Sequence, residues 1–568
     1  MLLSNLNLLA TAPGGVARLR ELILTLAVQG KLVAQDPKDE PASELLKKIR
    51  AEKNRLIAAK VLKREKDEPA WSGDSLPFDL PESWCWAAMG EVIDIVRGIT
   101  FPATQKTREA APGRIACLRT TNVQQSIEWD DLLFVDRSFM GREDQLIQHH
   151  DIVMSMANSR ELVGKVALID EIPHVEATFG GFLGVLRPRK IDPRYAMAVL
   201  RTPYARALLI DSSSQTTNIA NVSLAKMRPL PFPLPPAAEQ SRIVTRVEEL
   251  MRLCDALEAK GQLEATQHAQ LVSTLLGTLT ESETPEELAD NWQRIATHFD
   301  LLLDRPEAVD ALEQTILQLA VRGLLVPQDP QDEPASDLLK KIRTEKDRLI
   351  AVGKIKRDKP LAEITEDEKP FELPVGWEWA KMDGLASHIT DGAHHTPTYI
   401  AEGVPFLSVK DLSSGFIDFS DTRFISPQSH EELAKRCNPE MGDVLLTKIG
   451  TTGIAVLVDT LRAFSLFVSV ALIKLPSVSV DRNFLSLVIN SPFVRQQSEE
   501  GTEGVGNKNL VLRKIKAFQI PIPPAAEQSR IVARVATLRA LCADLRQRLT
   551  TARNQQALLA EGLVKEVA

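Results

Sequence analysis

The stretch AVQGKLVAQDPKDEPASELLKKIRAEKNRLI, residues 27–57, returns as AVRGLLVPQDPQDEPASDLLKKIRTEKDRLI at residues 320–350. The match extends from 16–66 against 309–359 at a constant offset of 293, with 33 identities in 51 positions. Chance does not give that density, so part of the chain is a duplication, and an internal repeat constrains the fold before any single motif does.

Working outward, a second repeated block reads PPAAEQSRIVTRV from Pro235 and PPAAEQSRIVARV from Pro523, at an offset of 288. A shorter pair, LPESWCWAAM from Leu80 and LPVGWEWAKM from Leu373, opens the divergent sequence between the blocks. A frame therefore repeats while its two middles vary.

The frame reads as helix. Ile243, Val247, Leu250, Cys254 and Leu257 step by four and three residues, as do Ile531, Val535, Leu538, Cys542 and Leu545, which is the spacing of a coiled-coil seam. Pro236 and Pro524 mark the starts, where a missing N–H does little harm. The run from Ala238 to Leu279 would reach roughly 60 Å as one helix, with Gly261 the place expected to interrupt it. The middles carry short apolar runs such as GKVALI and DVLLTKIG broken by Gly, Pro, Asn and Asp, so each is expected to be an α+β globule.

These boundaries divide the chain into a helical arm (1–79), a first module (80–236), a central helix (237–280), an acidic helical connector (281–307), a second arm (308–372), a second module (373–524) and a C-terminal helix (525–568). A chain of 568 residues is too long for one core and calls for several domains. Hydrophobic residues at 44% and charged residues at 25% are those of a soluble globular protein. The five cysteines lie far apart without a CxxC pair, which fits a reducing, cytoplasmic setting and no zinc site. The start MLLSNLNLLATAPGG supports neither export nor membrane insertion.

Catalytic motifs are missing. A base-flipping adenine methyltransferase needs an Asn/Asp-Pro-Pro-aromatic loop, and NPEM at Asn438 lacks the second proline and the ring. No GxxxxGK[ST] occurs, so an ATP-driven motor is unsupported. The carboxylates Asp36, Asp39 and Glu40 resemble a nuclease cluster, but they recur verbatim in the frame and read as a structural turn. Trp84, Trp86, Trp377 and Trp379 stand at matched openings and read as core rather than as stacking platforms.

The net charge of -8 speaks against nucleic acid when taken alone, so its distribution matters. Residues 187–228 carry Arg187, Arg189, Lys190, Arg194, Arg201, Arg206, Lys226 and Arg228 against Asp192 and Asp211, a local net of +6. The second middle ends likewise on Lys508, Arg513, Lys514 and Lys516. Amide and hydroxyl residues suited to base edges or phosphates lie beside them, Gln215 and Asn218 in the first middle and Asn509 in the second. Earlier loops add Arg97, Arg119, Asn122, Asn158 and Arg160, faced in the second half by His394, Lys410, Lys448 and Thr451. In particular LRTTNV aligns with LSVKDL, and MANSRELVG with LTKIGTTG. Different residues at equivalent places would read different bases.

Two variable globules flanked by repeated helices, with the AVQGKLV, LPxxWxW and PPAAEQxRIV signatures, resemble the specificity subunits of type I restriction-modification systems over nearly the whole chain. The resemblance implies two α+β target recognition domains, each reading half of a bipartite site in double-stranded DNA, held apart by helices forming an antiparallel coiled coil with pseudo-twofold symmetry. It also implies two partner methyltransferase subunits using S-adenosylmethionine and endonuclease subunits using ATP and magnesium. This chain itself would hold no cofactor, no metal and no catalytic residue. A helical adaptor with no DNA role is the rival from another class.

Overall fold

The computed structural model describes residues 6–60, 76–159, 162–173, 176–211, 214–215, 220–282, 284–356, 362, 364–504 and 508–567. The chain divides into two compact units, one of residues 1–263 with 553–568 and the other of residues 264–552.

In the first unit a four-stranded antiparallel sheet runs in the order Ile93–Arg97, Leu183–Pro188, Ile152–Ser155, Val166–Leu168. A second sheet places Leu133–Asp136 and Ala177–Phe179 on either side of Arg114–Leu118, the latter pair parallel. The inner strand Ile152–Ser155 is wholly buried. Its alternating side chains separate, as a period of two requires: Ile152 and Met154 join the helix-covered core, while Val153 packs with Phe179 and Val185 on the other face. The second unit repeats this plan with His388–Asp391, Val470–Lys474, Val444–Thr447 and Ala455–Leu457. There Val444 and Leu446 face one core and Leu445 the other. The expected α+β globules are present.

Each module is closed where it begins and ends. Cys85–Ala88 pairs antiparallel with Pro231–Leu234, and Glu378–Lys381 with Gln519–Ile522. Because the two ends of a module are hydrogen-bonded to each other, the sequence between them can vary without disturbing the frame.

The helix Ala237–Glu281 runs unbroken for 45 residues and its counterpart Ala525–Val567 for 43, each roughly 65 Å at 1.5 Å per residue. Gly261 does not interrupt the first, contrary to the expectation from sequence. A lone glycine costs a helix only about 1 kcal/mol, and the residues from Glu258 to Gln267 are all exposed, so no packing asks for a bend. In the first unit the start of this helix shares a core with the end of the other, through Leu250, Cys254 and Leu257 with Ala560 and Val564. In the second unit Val272, Leu276 and Leu279 share a core with Val535, Leu538 and Cys542. The residues of the 4-3 seams thus lie in these two cores, Val247, Leu250, Cys254 and Leu257 in the first unit and Val535, Leu538, Cys542 and Leu545 in the second.

The repeated motifs meet in one buried polar clamp per half. Glu239 is 1% exposed; Trp84 Nε1 donates to it at 3.0 Å and Gln35 Nε2 at 2.7 Å. Glu527, also 1% exposed, accepts from Trp377 Nε1 at 3.1 Å and Gln328 Nε2 at 3.2 Å. Arg242 binds Asp39 at 2.6 Å and Arg530 binds Asp332 at 2.7 Å. Gln240 accepts from the Asp192 amide and donates to the Pro235 carbonyl, as Gln528 does with Asp481 and Pro523. The QDPxDEP turn, the opening tryptophan and the AAEQ helix start are therefore parts of a single joint between arm, module and long helix. Gly30 and Gly323 end their arm helices at φ 69 and 73, and a Cβ there would lie 2.4 and 2.5 Å from the Pro81 and Pro374 rings. Both the left-handed backbone and the close approach require glycine.

Glu239→Ala leaves the buried Trp84 N–H unanswered, and such a group costs about 1–3 kcal/mol; Gln35, which is exposed, keeps the Gly30 carbonyl. We expect a loss of about 1–3 kcal/mol, with Glu239→Gln losing less because its carbonyl still accepts from Trp84. Chemical unfolding of the three proteins checks this; equal midpoints would show that the clamp holds nothing.

The connector forms helices Pro285–Thr297 and Phe299–Leu302, and Ile295, Leu302 and Leu303 bury into the second unit's core.

Candidate nucleic-acid interface

In the first module the edge of the main sheet gathers residues that are distant in sequence. Arg97, exposed, stands opposite Gly184 across the strand pair. Next to that pair, the Met156 amide donates to the Phe182 carbonyl at 2.9 Å and the Val222 amide to the Met156 carbonyl at 2.9 Å. Ala157–Asn158 then pairs with Ala220–Asn221, which pairs in turn with Ser214–Gln215. Arg97, half-buried Asn158 and the strand holding Gln215 are thus brought to one edge.

The second module builds the same edge from different side chains. The Lys448 amide donates to the Ser469 carbonyl at 2.9 Å, Leu510 N to the Lys448 carbonyl at 2.7 Å, and Gly450 N to the Lys508 carbonyl at 3.3 Å, with a bridge between Ile449 and Asn509. These bonds bring Lys448, Thr451, Lys508 and Asn509 together. The aligned MANSRELVG and LTKIGTTG segments therefore occupy equivalent positions. Thr451 and Lys508 are exposed, and the Asn509 Oδ1 is buried without a hydrogen-bond partner.

Below this edge lies a charged cluster. Asp391, 3% exposed, accepts from Lys448 Nζ at 2.9 Å on one oxygen, and from Arg436 at 2.6 Å and His394 Nε2 at 3.0 Å on the other. Burial pushes the Asp391 carboxyl up, but Lys448 and His394 outweigh it and hold it below the usual carboxylate range. Lys448 is itself buried, whereas His394 and Arg436 are exposed. Asp391 follows Thr390 and precedes Gly392, as Arg97 precedes Gly98, so one sheet position holds opposite charges in the two modules.

Other expected contacts lie apart. Asn122 is 2% exposed and caps its own turn, accepting from the Arg119 amide at 2.9 Å and donating to the Glu128 carbonyl at 3.0 Å. Asp411 takes the same role for the Ser408 amide at 2.7 Å, which bears out the alignment of the two loops and gives these residues a structural task. Arg119 binds Asp131 at 2.7 Å and Lys410 binds Asp421 at 3.0 Å. Arg201 donates to the Gln125 carbonyl at 2.6 Å. Arg206 and Lys226 are exposed on short helices, as are Lys514 and Arg513, the last paired with Glu503 at 2.6 Å. Arg160 and Asn218 lie outside the described residues.

The basic stretch 187–228 needs correction. Arg187 forms a two-point bond with Asp151, which is 0% exposed, at 2.7 and 2.8 Å. Arg189 binds Asp94, and Arg194 binds Glu248 at 3.0 Å. A charge count along one segment cannot see acids that neighbouring strands and helices supply. Three of the eight basic residues are therefore answered within the fold, and Lys190, Arg201, Arg206 and Lys226 are exposed.

Sequence reasoning passed over Asp391, Arg436 and Phe182. Phe182 is 70% exposed at this edge, and its signal was a phenylalanine set after Gly180 and Gly181 where a turn was due.

Among the described residues no cluster of His, Cys, Asp and Glu is arranged to hold a metal ion, and no helix is long and apolar enough to cross a membrane. Residues 81–267 and 374–552 match the family described as type I restriction modification DNA specificity domain. The chain is 33% identical to the type I restriction enzyme EcoEI specificity subunit of Escherichia coli and 34% identical to the EcoAI specificity subunit of the same organism. Each alignment covers 97% of this chain and 93% of the relative. The HsdS subunit from Thermoanaerobacter tengcongensis, a solved structure, aligns at 16% identity and a TM-score of 0.36 over 86% of this chain and 98% of that one.

Proposed function

Because the chain belongs to the type I restriction-modification DNA specificity family, we propose that each of its two recognition modules reads one half of a bipartite target in double-stranded DNA. The observation that carries this is the pair of equivalent sheet edges: one backbone arrangement presents Arg97, Asn158 and Phe182 in one module and Thr451, Lys508 and Asn509 in the other. A fold that holds its backbone and changes its outward residues suits a reader of different sequences. The surface residues Arg201, Arg206, Lys226, Lys508 and Lys514 are assigned to phosphates, which fix register without reading bases.

The chain acts without catalysis or cofactor of its own. Two methyltransferase subunits dock on it and bring S-adenosylmethionine, and endonuclease subunits bring ATP and magnesium. The two long helices set the spacer between half-sites. The whole works in the cytoplasm.

Exchange of residues 85–232 for the equivalent segment of another family member tests the reading. The exchanged segment brings its own strand in place of Cys85–Ala88 to pair with Pro233 and Leu234, so the assembled methyltransferase should change its preference in one half-site and keep the other. If both half-sites changed, independent reading would be wrong.

A further inference from the structure

Phe182 is the most exposed phenylalanine or tryptophan among the described residues, at 70%, and packing gives no account of its ring. Its backbone, by contrast, is closely held. The Phe182 carbonyl accepts from Met156, Leu183 N donates to the Gly180 carbonyl at 2.8 Å, and Gly180 N donates to the Leu118 carbonyl at 3.0 Å. A Cβ on neighbouring Gly98 would sit 2.2 Å from the Gly180 carbonyl oxygen, so the two chains meet here without room for a side chain. The turn is built to hold this residue at the edge.

The second module treats the same position differently. Ser469, whose carbonyl takes the matching bond from Lys448, is 4% exposed, and its hydroxyl accepts from the Val409 amide at 3.1 Å. Where that module places a buried serine beside an ion pair, the first presents a bare ring, with Arg97 and Asn158 on the same edge.

We propose that Phe182 is a specificity-determining residue of the first module and that its ring packs on the 5-methyl group of a thymine in the first half-site. The inference rests on the reading of that module as a DNA binder. In the major groove the thymine methyl is the apolar group among base-edge donors and acceptors, and phenylalanine is suited to contact it. Arg97 and Asn158, on the same sheet edge, would take phosphate or polar base atoms. Covering the ring in the complex removes apolar surface from water that the free protein leaves exposed.

The test uses the full chain in its assembled methyltransferase, with Phe182→Ala and Phe182→Leu beside the parent. The DNAs are the native target and copies in which each thymine of the first half-site is replaced singly by deoxyuridine, which lacks the methyl group. Phe182→Ala should fold with the parent's thermal stability, because the ring is exposed, and should bind the native target about 5- to 30-fold more weakly, the lower part of the range for one altered base pair. One deoxyuridine should weaken the parent by a similar factor and leave Phe182→Ala unaffected, while Phe182→Leu retains most of the affinity. Parent-like binding by Phe182→Ala overturns the proposal, and so does a loss that no deoxyuridine reproduces, which would mean stacking on a base instead. A first half-site without thymine overturns it as well. If exchange of residues 85–232 leaves the first half-site unchanged, the DNA-reading assignment itself fails, and that result is distinct from the others.

Discussion

Asp391→Ala should destabilise the second module by about 3–5 kcal/mol, the cost of leaving a buried charge without its partner. Asp391 and Lys448 are 3% and 4% exposed, and the ammonium group sits 2.9 Å from the carboxylate. Without Asp391 that charge has neither water nor a counter-ion. Arg436 and His394 lose less, because they already reach solvent. The double change Asp391→Ala with Lys448→Met should recover most of the loss, since an apolar replacement of a buried pair is often nearly neutral. Hydrogen exchange in Val444–Thr447, the buried strand that runs into Lys448, reads the effect locally. Unaltered protection in Asp391→Ala would mean that Lys448 finds another way to be solvated. The pair also has a pH signature. A carboxyl held below its ordinary value gives stability that is complete above its unfolded pKa, about 3.9, and is lost as pH falls through the lower folded value. The parent should therefore lose second-module protection on acidification below about pH 4, and the double variant should lose less.

The frame was legible in the sequence because duplication prints it twice. The tryptophans, the QDPxDEP turn and the AAEQ helix start were recognisable as structure from their recurrence alone. Their common purpose was not, since Trp84, Gln35 and Glu239 are joined only by folding. The α+β character of the modules followed from short apolar runs between turn residues. The candidate edge was legible in part: Asn158, Thr451 and Lys448 came from aligned loops, and the backbone does place those loops alike. The basic stretch misled for the reason given by Arg187 and Asp151, which lie 36 residues apart and meet in the core. Asp391 escaped notice because an acid is not sought at a DNA-binding edge, although here it orients the cations around it. Phe182 escaped because an apolar residue between two strands reads as core until its exposure is known.

Inserting seven residues after Leu263 and seven after Ala552 should lengthen the preferred spacer by about three base pairs. Those points are where each long helix passes from one compact unit to the other, so both clamps and both modules keep their contacts. Seven residues are one heptad, which preserves the apolar seam and adds about 10 Å at 1.5 Å per residue. At about 3.4 Å per base pair this is close to three pairs. The same three pairs turn the second half-site by roughly 100° around the duplex, given about 10.5 pairs per turn. One heptad turns a straight helix by only about 20°, so the protein does not follow that rotation by itself. Affinity for the lengthened target should therefore fall even at its new optimum, by an amount that measures how far the modules swivel on their clamps. Insertions of four residues shift the seam and should mainly cost stability. Selection of spacers from a randomised library by the assembled methyltransferase decides the matter. An unchanged spacer bound at unchanged affinity would show that the distance between half-sites is set by something other than these helices.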